Sequence, residues 1–227
     1  MGQYIRKVMD KTTEILKKNK SHFTSEDFKT FWGDGYIENF GGSPEGTSRK
    51  VFETCIEPFA SKDKTVLEIG CGGGFWINTF LKESFGKVIA IDVIPQSKNI
   101  QIEEYHQLPE CDYECSPIAS NSIDFVWCYG VFCHLPNEAV RKYLKNTLRV
   151  LKNGGDAVIM FPNWDKHPAM KDIPNRYDYC NKLNDMGWFC MDNAIIQDTI
   201  NSVSGTLLEY YTDIFPDHRD TLIHFKK

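Results

Sequence analysis

Apolar positions along the chain fall in short runs broken by polar and glycine-bearing stretches. The first clear run is Val66-Leu67-Glu68-Ile69, which ends on Gly70-Cys71-Gly72-Gly73-Gly74. Aliphatic residues running into glycines read as a buried parallel strand, a tight turn and a helix that starts near Phe75. That helix extends to Phe85 and stops at Gly86. Further strands are expected at Val88-Ile89-Ala90-Ile91, at 123–129 and at 157–161, and a final pair at 206–211 and 221–225. Helical spacing of Val51, Phe52, Cys55, Ile56 and Phe59 predicts a helix capped by Thr47 or Ser48. The stripe Val140, Tyr143, Leu144, Thr147, Leu148 and Leu151 predicts a second over 137–151, ended by Asn153-Gly154-Gly155. Tyr179, Cys180, Leu183 and Met186 mark a last helix before Gly187, while residues 99–107 fit neither period well. Alternating strands and helices make this an α/β chain.

The amino-terminal part has a different texture. Ile5, Val8, Met9, Thr12, Ile15 and Leu16 recur at helical spacing among basic side chains, so residues 1–20 read as an amphipathic helix. In residues 21–46 the aromatics Phe23, Phe28, Phe31, Trp32, Tyr36 and Phe40 alternate with Gly33, Gly35, Gly41 and Gly42. Such a mixture makes a poor regular element and a good flap over a pocket. The expected organisation is therefore a lid over 1–46 and one domain over 47–227, with a proline-rich insertion at 162–175 beside the strand ends.

Glycines after a strand let a backbone pass close under a ligand, and the free N–H groups of the following helix face it. Two carboxylates narrow the ligand. Glu68 stands inside the strand, where a dinucleotide fingerprint wants an apolar side chain, and can meet a cationic amino group directly or through water. Asp92 closes the second apolar run and is placed to take both hydroxyls of a ribose. A ribose together with an α-amino group suggests S-adenosylmethionine (SAM). A nicotinamide site would want Gly or Ala where Phe75 stands.

With these residues, Val66-Leu67-Glu68-Ile69-Gly70-Cys71-Gly72-Gly73-Gly74 followed by Val88-Ile89-Ala90-Ile91-Asp92, the chain resembles the class I SAM-dependent methyltransferases. The resemblance implies a Rossmann-like three-layer sandwich whose mostly parallel seven-stranded sheet carries an antiparallel last strand. It implies SAM as cofactor and S-adenosylhomocysteine as product, held by Glu68, Gly70, Cys71, Gly72, Asp92, Val93 and Tyr129. The stretch from Cys111 to Asp124 is similar to the family's acidic loop, which would put Asp112 on the adenine amino group and Tyr113 beside the ring. A plain surface turn is the alternative there.

The loop Gly130-Val131-Phe132-Cys133-His134-Leu135-Pro136 follows strand four, at the end of the sheet where ligands bind. An imidazole can take a hydroxyl proton near neutral pH, so His134 is the candidate general base; it can equally just hold the loop. Candidate acceptor contacts are Tyr36, Asn39, Ser48, Arg49 and Arg176. A narrower likeness, through Glu38-Asn39-Phe40-Gly41-Gly42, Val131-Phe132-Cys133-His134-Leu135 and Ile223-His224-Phe225, is to small bacterial methyltransferases encoded with surface-polysaccharide genes. It implies transfer to an oxygen of a small acceptor, such as a sugar or a phosphoramidate group of a capsule. Transfer to nitrogen of a small molecule, or SAM binding by a regulator without transferase activity, are the other readings.

Composition removes several classes. At 227 residues with net charge −5 and a sequence pI near 5.7, the chain offers no broad basic surface for nucleic acid or anionic membrane. It also lacks the Asn/Asp-Pro-Pro-aromatic motif of amino-methylating DNA enzymes after strand four, and neither Cys128 nor Cys133 follows a proline as a cytosine-C5 nucleophile would. Eight cysteines form no C-x-x-C pair and read as small buried hydrophobes of a reducing cytoplasm. No acidic cluster is committed to a metal, and no long apolar run or leader-like segment stands in the sequence.

Overall fold

The computed structural model describes residues 44–109, 112–163, 165–166, 189, 191–212, 214 and 220–227. The expected lid is outside these residues except for 44–46, as are Tyr36, Asn39, Arg176 and the helix expected around Tyr179 to Met186.

Seven strands form one sheet. They are β1 (Thr65–Ile69), β2 (Lys87–Asp92), β3 (Glu104–Gln107), β4 (Ile123–Cys128), β5 (Leu151–Pro162), β6 (Thr206–Tyr211) and β7 (Asp220–Lys226), in the spatial order β3-β2-β1-β4-β5-β7-β6. The first five are parallel, and β7 runs antiparallel to both β5 and β6. The order reverses between β1 and β4, so the crevice at their carboxyl ends is the switch point where open α/β sheets take ligands. β7, running the other way, brings its first residue to that same edge, paired with Pro162.

One face of the sheet is covered by α1 (Thr47–Cys55) and α2 (residues 75–84). Val51, Phe52, Cys55 and Ile56 of the first pack with Trp76, Ile77, Phe80 and Leu81 of the second over Val66, Phe125, Trp127 and Val158. The other face carries α3 (Asn137–Val150) and α4 (Asn193–Ser202), whose Val140, Leu144, Leu148, Ile196 and Ile200 pack over Leu67, Val126 and Ile159. Both faces are buried, which is why the central strands read as unbroken apolar runs.

Several boundaries differ from the sequence expectation. α1 begins at Thr47 behind Gly46, which takes a left-handed φ of 62°, and no side chain caps it. Neither Thr47 nor Ser48 is therefore the cap. The middle of α2, Ile77–Leu81, is wound as a π-helix, and Phe85 leaves the helix in extended conformation. Asn153-Gly154-Gly155 does not end α3, because Val150 is its last residue and Leu151 already starts β5. The two glycines instead form an irregularity in the β4–β5 pairing, where Ile123 faces Leu151 and Phe125 faces Asp156. Gly154 has a φ of 76°, and a Cβ on Gly155 would meet Lys152 O at 2.9 Å. Residues 99–107 resolve into a loop and the short β3, with Ile100 buried against Gly74.

α4 had no counterpart in the sequence expectation. Asp192 caps it by accepting from Ile195 N at 2.8 Å, and Ile196, Thr199 and Ile200 form its buried stripe.

Candidate functional site

β1 ends beneath a turn with three left-handed glycines, Gly70 (φ 70°), Gly72 (φ 51°) and Gly74 (φ 82°). Each does a different job. A Cβ on Gly70 would collide with Val131 Cγ2, so the bare glycine lets the loop after β4 close on the turn. A Cβ on Gly74 would run into Ile100 Cγ1. A Cβ on Gly72 would meet nothing within 4 Å, which leaves the outer side of the turn open to a ligand.

Asp92, at the tip of β2, fastens this turn. One carboxylate oxygen accepts from Gly72 N at 2.8 Å and the other from Ile94 N at 3.2 Å. Burial raises its carboxyl above the ordinary value, and the N–H groups of Gly72, Ile94 and Val93 pull it back down. A carboxylate has about four acceptor sites, so both oxygens can still take a hydroxyl. The Tyr105 hydroxyl donates to Ile94 O at 2.7 Å, and Gln107 donates to Val93 O at 3.3 Å, which secures the segment after Asp92.

Glu68 is 2% exposed and its Oε2 has no hydrogen-bond partner. Burial, and then the nearby charge of Asp92, push its carboxyl well above the ordinary value. An unsatisfied buried polar group costs about 1–3 kcal/mol. Such a cost is borne at places where a ligand completes the bonding. Cys71 is buried beside both acids, and burial first, then Asp92, raise its thiol.

The loop after β4 begins at Tyr129, whose ring stands 5.1 Å from Trp76 and 5.9 Å from Trp127. Burial, with Asp220 and Cys133 adding to it, pushes its hydroxyl up to about 12. Phe132–His134 form a single 3-10 turn in which His134 N donates to Val131 O at 2.9 Å. Phe132 anchors that turn against Phe161 and Tyr143. His134 itself is half-buried.

Asp112 and Tyr113 follow β3 at the same end of the sheet. The Asp112 carboxylate accepts from Glu114 N at 2.8 Å and from the Ser116 hydroxyl at 2.9 Å, so it shapes its own turn. Tyr113 sets its ring edgewise on Tyr143 at 5.4 Å. Ser48 is half-buried on α1, and the Arg49 guanidinium lies over Phe80 and Phe52, at 5.1 and 5.8 Å from their centroids.

Further residues are set by contacts distant in sequence. Arg149 donates to Ile118 O, Glu114 O and Cys115 O at 2.9, 2.9 and 3.0 Å, pinning the loop that carries Asp112. Trp127 is fully buried, and its indole N–H has no acceptor. Asp220 is buried at the start of β7. Asn163 bridges to Met191, Asn193 N donates to Asp165 at 2.8 Å, and Phe189 N donates to Cys133 O at 3.0 Å. Phe189 thus lies beside the turn that carries His134. Among the described residues no group of acids, histidines and cysteines could hold a metal ion, and no helix is long and apolar enough to cross a membrane. Cys55, Cys71, Cys115, Cys128 and Cys133 are buried thiols outside any disulfide.

Residues 67–159, which run from β1 to the middle of β5, match the family model described as "Methyltransferase domain". That stretch is similar to a methyltransferase domain. The chain's fold is that of SAM-dependent methyltransferases. A SAM-dependent methyltransferase from Mesorhizobium loti superimposes with a TM-score of 0.61 at 10% identity, covering 82% of this chain and 100% of that one. One from Archaeoglobus fulgidus gives 0.58 at 16% identity, covering 85% and 98%. The Burkholderia thailandensis 1,6-didemethyltoxoflavin-N1-methyltransferase, solved with 1,6-didemethyltoxoflavin and S-adenosylhomocysteine, gives 0.60 at 12% identity, covering 89% and 86%. No curated protein matches the chain by sequence.

Proposed function

We propose that this chain binds SAM across the turn after β1 and transfers its methyl group to an oxygen of a small acceptor. The observation that carries the reading is the pair of acids at neighbouring strand ends. Glu68 holds a buried oxygen that lacks a partner, Asp92 grips the turn while keeping acceptor sites, and Gly72 leaves the outer side of the turn open. These residues fit the group. Glu68 would take the ammonium, Asp92 the ribose hydroxyls, the Gly70 to Gly72 backbone the amino-acid end, and Val93, Asp112, Tyr113 and Tyr129 the adenosine and sulfonium surroundings.

When bound, SAM supplies a methyl already activated for in-line displacement. The chain's own tasks are alignment, exclusion of water and removal of a proton where the acceptor keeps one. His134, in the turn after β4, would accept the proton of an alcohol. Ser48, Arg49, Arg176, Tyr36 and Asn39 are the proposed acceptor contacts. A sugar or phosphoramidate of a capsular polysaccharide is the acceptor class that this reading favours.

Calorimetry with SAM, S-adenosylhomocysteine and NADH tests the first step: preference for NADH, or no SAM binding, overturns the cofactor assignment. Incubation with labelled SAM and nucleotide sugars, capsule fragments and phosphoramidates tests the second. Label entering only nitrogen of small amines rejects the oxygen acceptor.

A further inference from the structure

Two orphaned groups of opposite kind lie side by side beneath the turn. Glu68 and Trp127 are paired positions of β1 and β4, so their side chains leave the same face of the sheet. Both are buried, and neither Glu68 Oε2 nor Trp127 Nε1 has a hydrogen-bond partner. An ionised carboxylate only accepts and an indole N–H only donates, so each lacks what the other offers. They are not bonded to each other directly.

We propose that Trp127 is a positioning residue of the SAM site, its N–H and the Glu68 carboxylate sharing one buried water that holds Glu68 toward the ligand's ammonium. This rests on the SAM reading above for its ligand, but not for the water. Water accepts from the indole, donates to the carboxylate, and keeps a lone pair for an incoming N–H, which gives it the polar partners a buried water needs. The indole cannot swing away to find another acceptor. Its ring is held at 5.0 Å by Trp76, edge to face, and at 5.9 Å by Tyr129, stacked. An apolar ring would fill this core position equally well. The N–H is the extra feature, and it sits on the strand next to the one buried acid of β1.

The test uses the full chain labelled with 15N at its indoles, with Trp127→Phe to assign the signal and to remove the donor while keeping a ring. In the ligand-free protein, the Trp127 indole resonance is expected to move as Glu68 titrates and to stop doing so in Glu68→Gln. Trp127→Phe is expected to weaken SAM binding ~3–10-fold, the loss of one hydrogen bond, and to move the pH at which SAM affinity is lost upward, because the carboxylate has lost a donor. An indole resonance indifferent to both pH and Glu68→Gln overturns the bridge whether or not SAM binds. A Trp127→Phe variant with unchanged SAM affinity and pH profile overturns the positioning role. Failure of the wild type to bind SAM, with the indole still tracking Glu68, removes the cofactor reading and leaves the bridge standing.

Discussion

Gly72 N–H donates to the Asp92 carboxylate across 2.8 Å, tying the turn after β1 to the tip of β2. The acid therefore has two duties in one geometry. It shapes the loop on which a ligand lies, and it offers its remaining lone pairs to that ligand. Asp92→Ala removes both acceptors at once, and hydrogen bonds to a charged group are worth about 1.5–3 kcal/mol each. Expected are a lower melting temperature and SAM affinity reduced ~10–100-fold, while Asp92→Asn, which keeps one acceptor oxygen, falls between. Titration calorimetry and a thermal melt check this; an Asp92→Ala variant with wild-type SAM affinity removes the ribose contact from the site.

Glu68 predicts opposite effects on stability and binding. Its carboxyl is raised in the fold by burial and by Asp92, so the folded chain holds this proton more tightly than the unfolded one. Its contribution to stability is fully present below the ordinary value of 4.5 and is lost as pH rises through the higher folded value. Glu68→Gln is thus expected to match wild type in acid and to be more stable by about 1–3 kcal/mol at neutral pH. Binding goes the other way. Only the carboxylate pairs with an ammonium, so wild-type SAM affinity rises with pH through the raised value, and the variant binds weakly without that dependence. Urea unfolding at two pH values and calorimetry across pH measure both. A less stable Glu68→Gln at neutral pH contradicts the account.

What could be read from the sequence was what is local. Glu68 and Asp92 are marked by their places at the ends of short apolar runs, and the open turn by its glycines. The family resemblance implied a mostly parallel seven-stranded sheet with an antiparallel last strand, but the order 3-2-1-4-5-7-6 was not legible, because no pattern within a strand states which neighbour it pairs with. For the same reason the adjacency of Trp127 and Glu68 was invisible, as was the reach of Arg149 to a loop some thirty residues earlier. α4 was missed for a different cause. Asp192 and the spacing of Ile196, Thr199 and Ile200 do signal a helix, but Asn, Gln and Asp residues dilute the stripe, and the helix gets its burial from α3 and β6. Gly154-Gly155 misled because glycines that often end a helix here relieve a strand that has already begun.

Arg149 predicts a loop effect separable from the chemistry. Its guanidinium holds three carbonyls of residues 114–118, including that of Cys115, which sits at a left-handed φ of 50°. Arg149→Met should free this loop, cost about 2 kcal/mol of stability, and weaken SAM binding several-fold through Asp112 and Tyr113. Arg149→Lys should recover little, since one ammonium cannot span carbonyls that a planar fork reaches together. Hydrogen exchange over 112–120 reports the loosening; unchanged protection there means the loop is held by its own turn at Asp112.

His134 divides the acceptor chemistries. An alcohol oxygen becomes a competent nucleophile only as its proton leaves, and a positioned base contributes about 10²–10⁴-fold to such a step. An acceptor oxygen that is already anionic gains nothing from a base. His134→Ala is therefore expected to cut the turnover of a sugar hydroxyl by that factor at saturating SAM and to leave SAM affinity unchanged. On a phosphoramidate-like oxygen the same variant should keep its rate. The turn that carries the residue is anchored by Phe132 against Phe161 and Tyr143. Rates measured with labelled SAM on the two acceptor types decide the matter, and an undiminished rate on the alcohol eliminates His134 as the base.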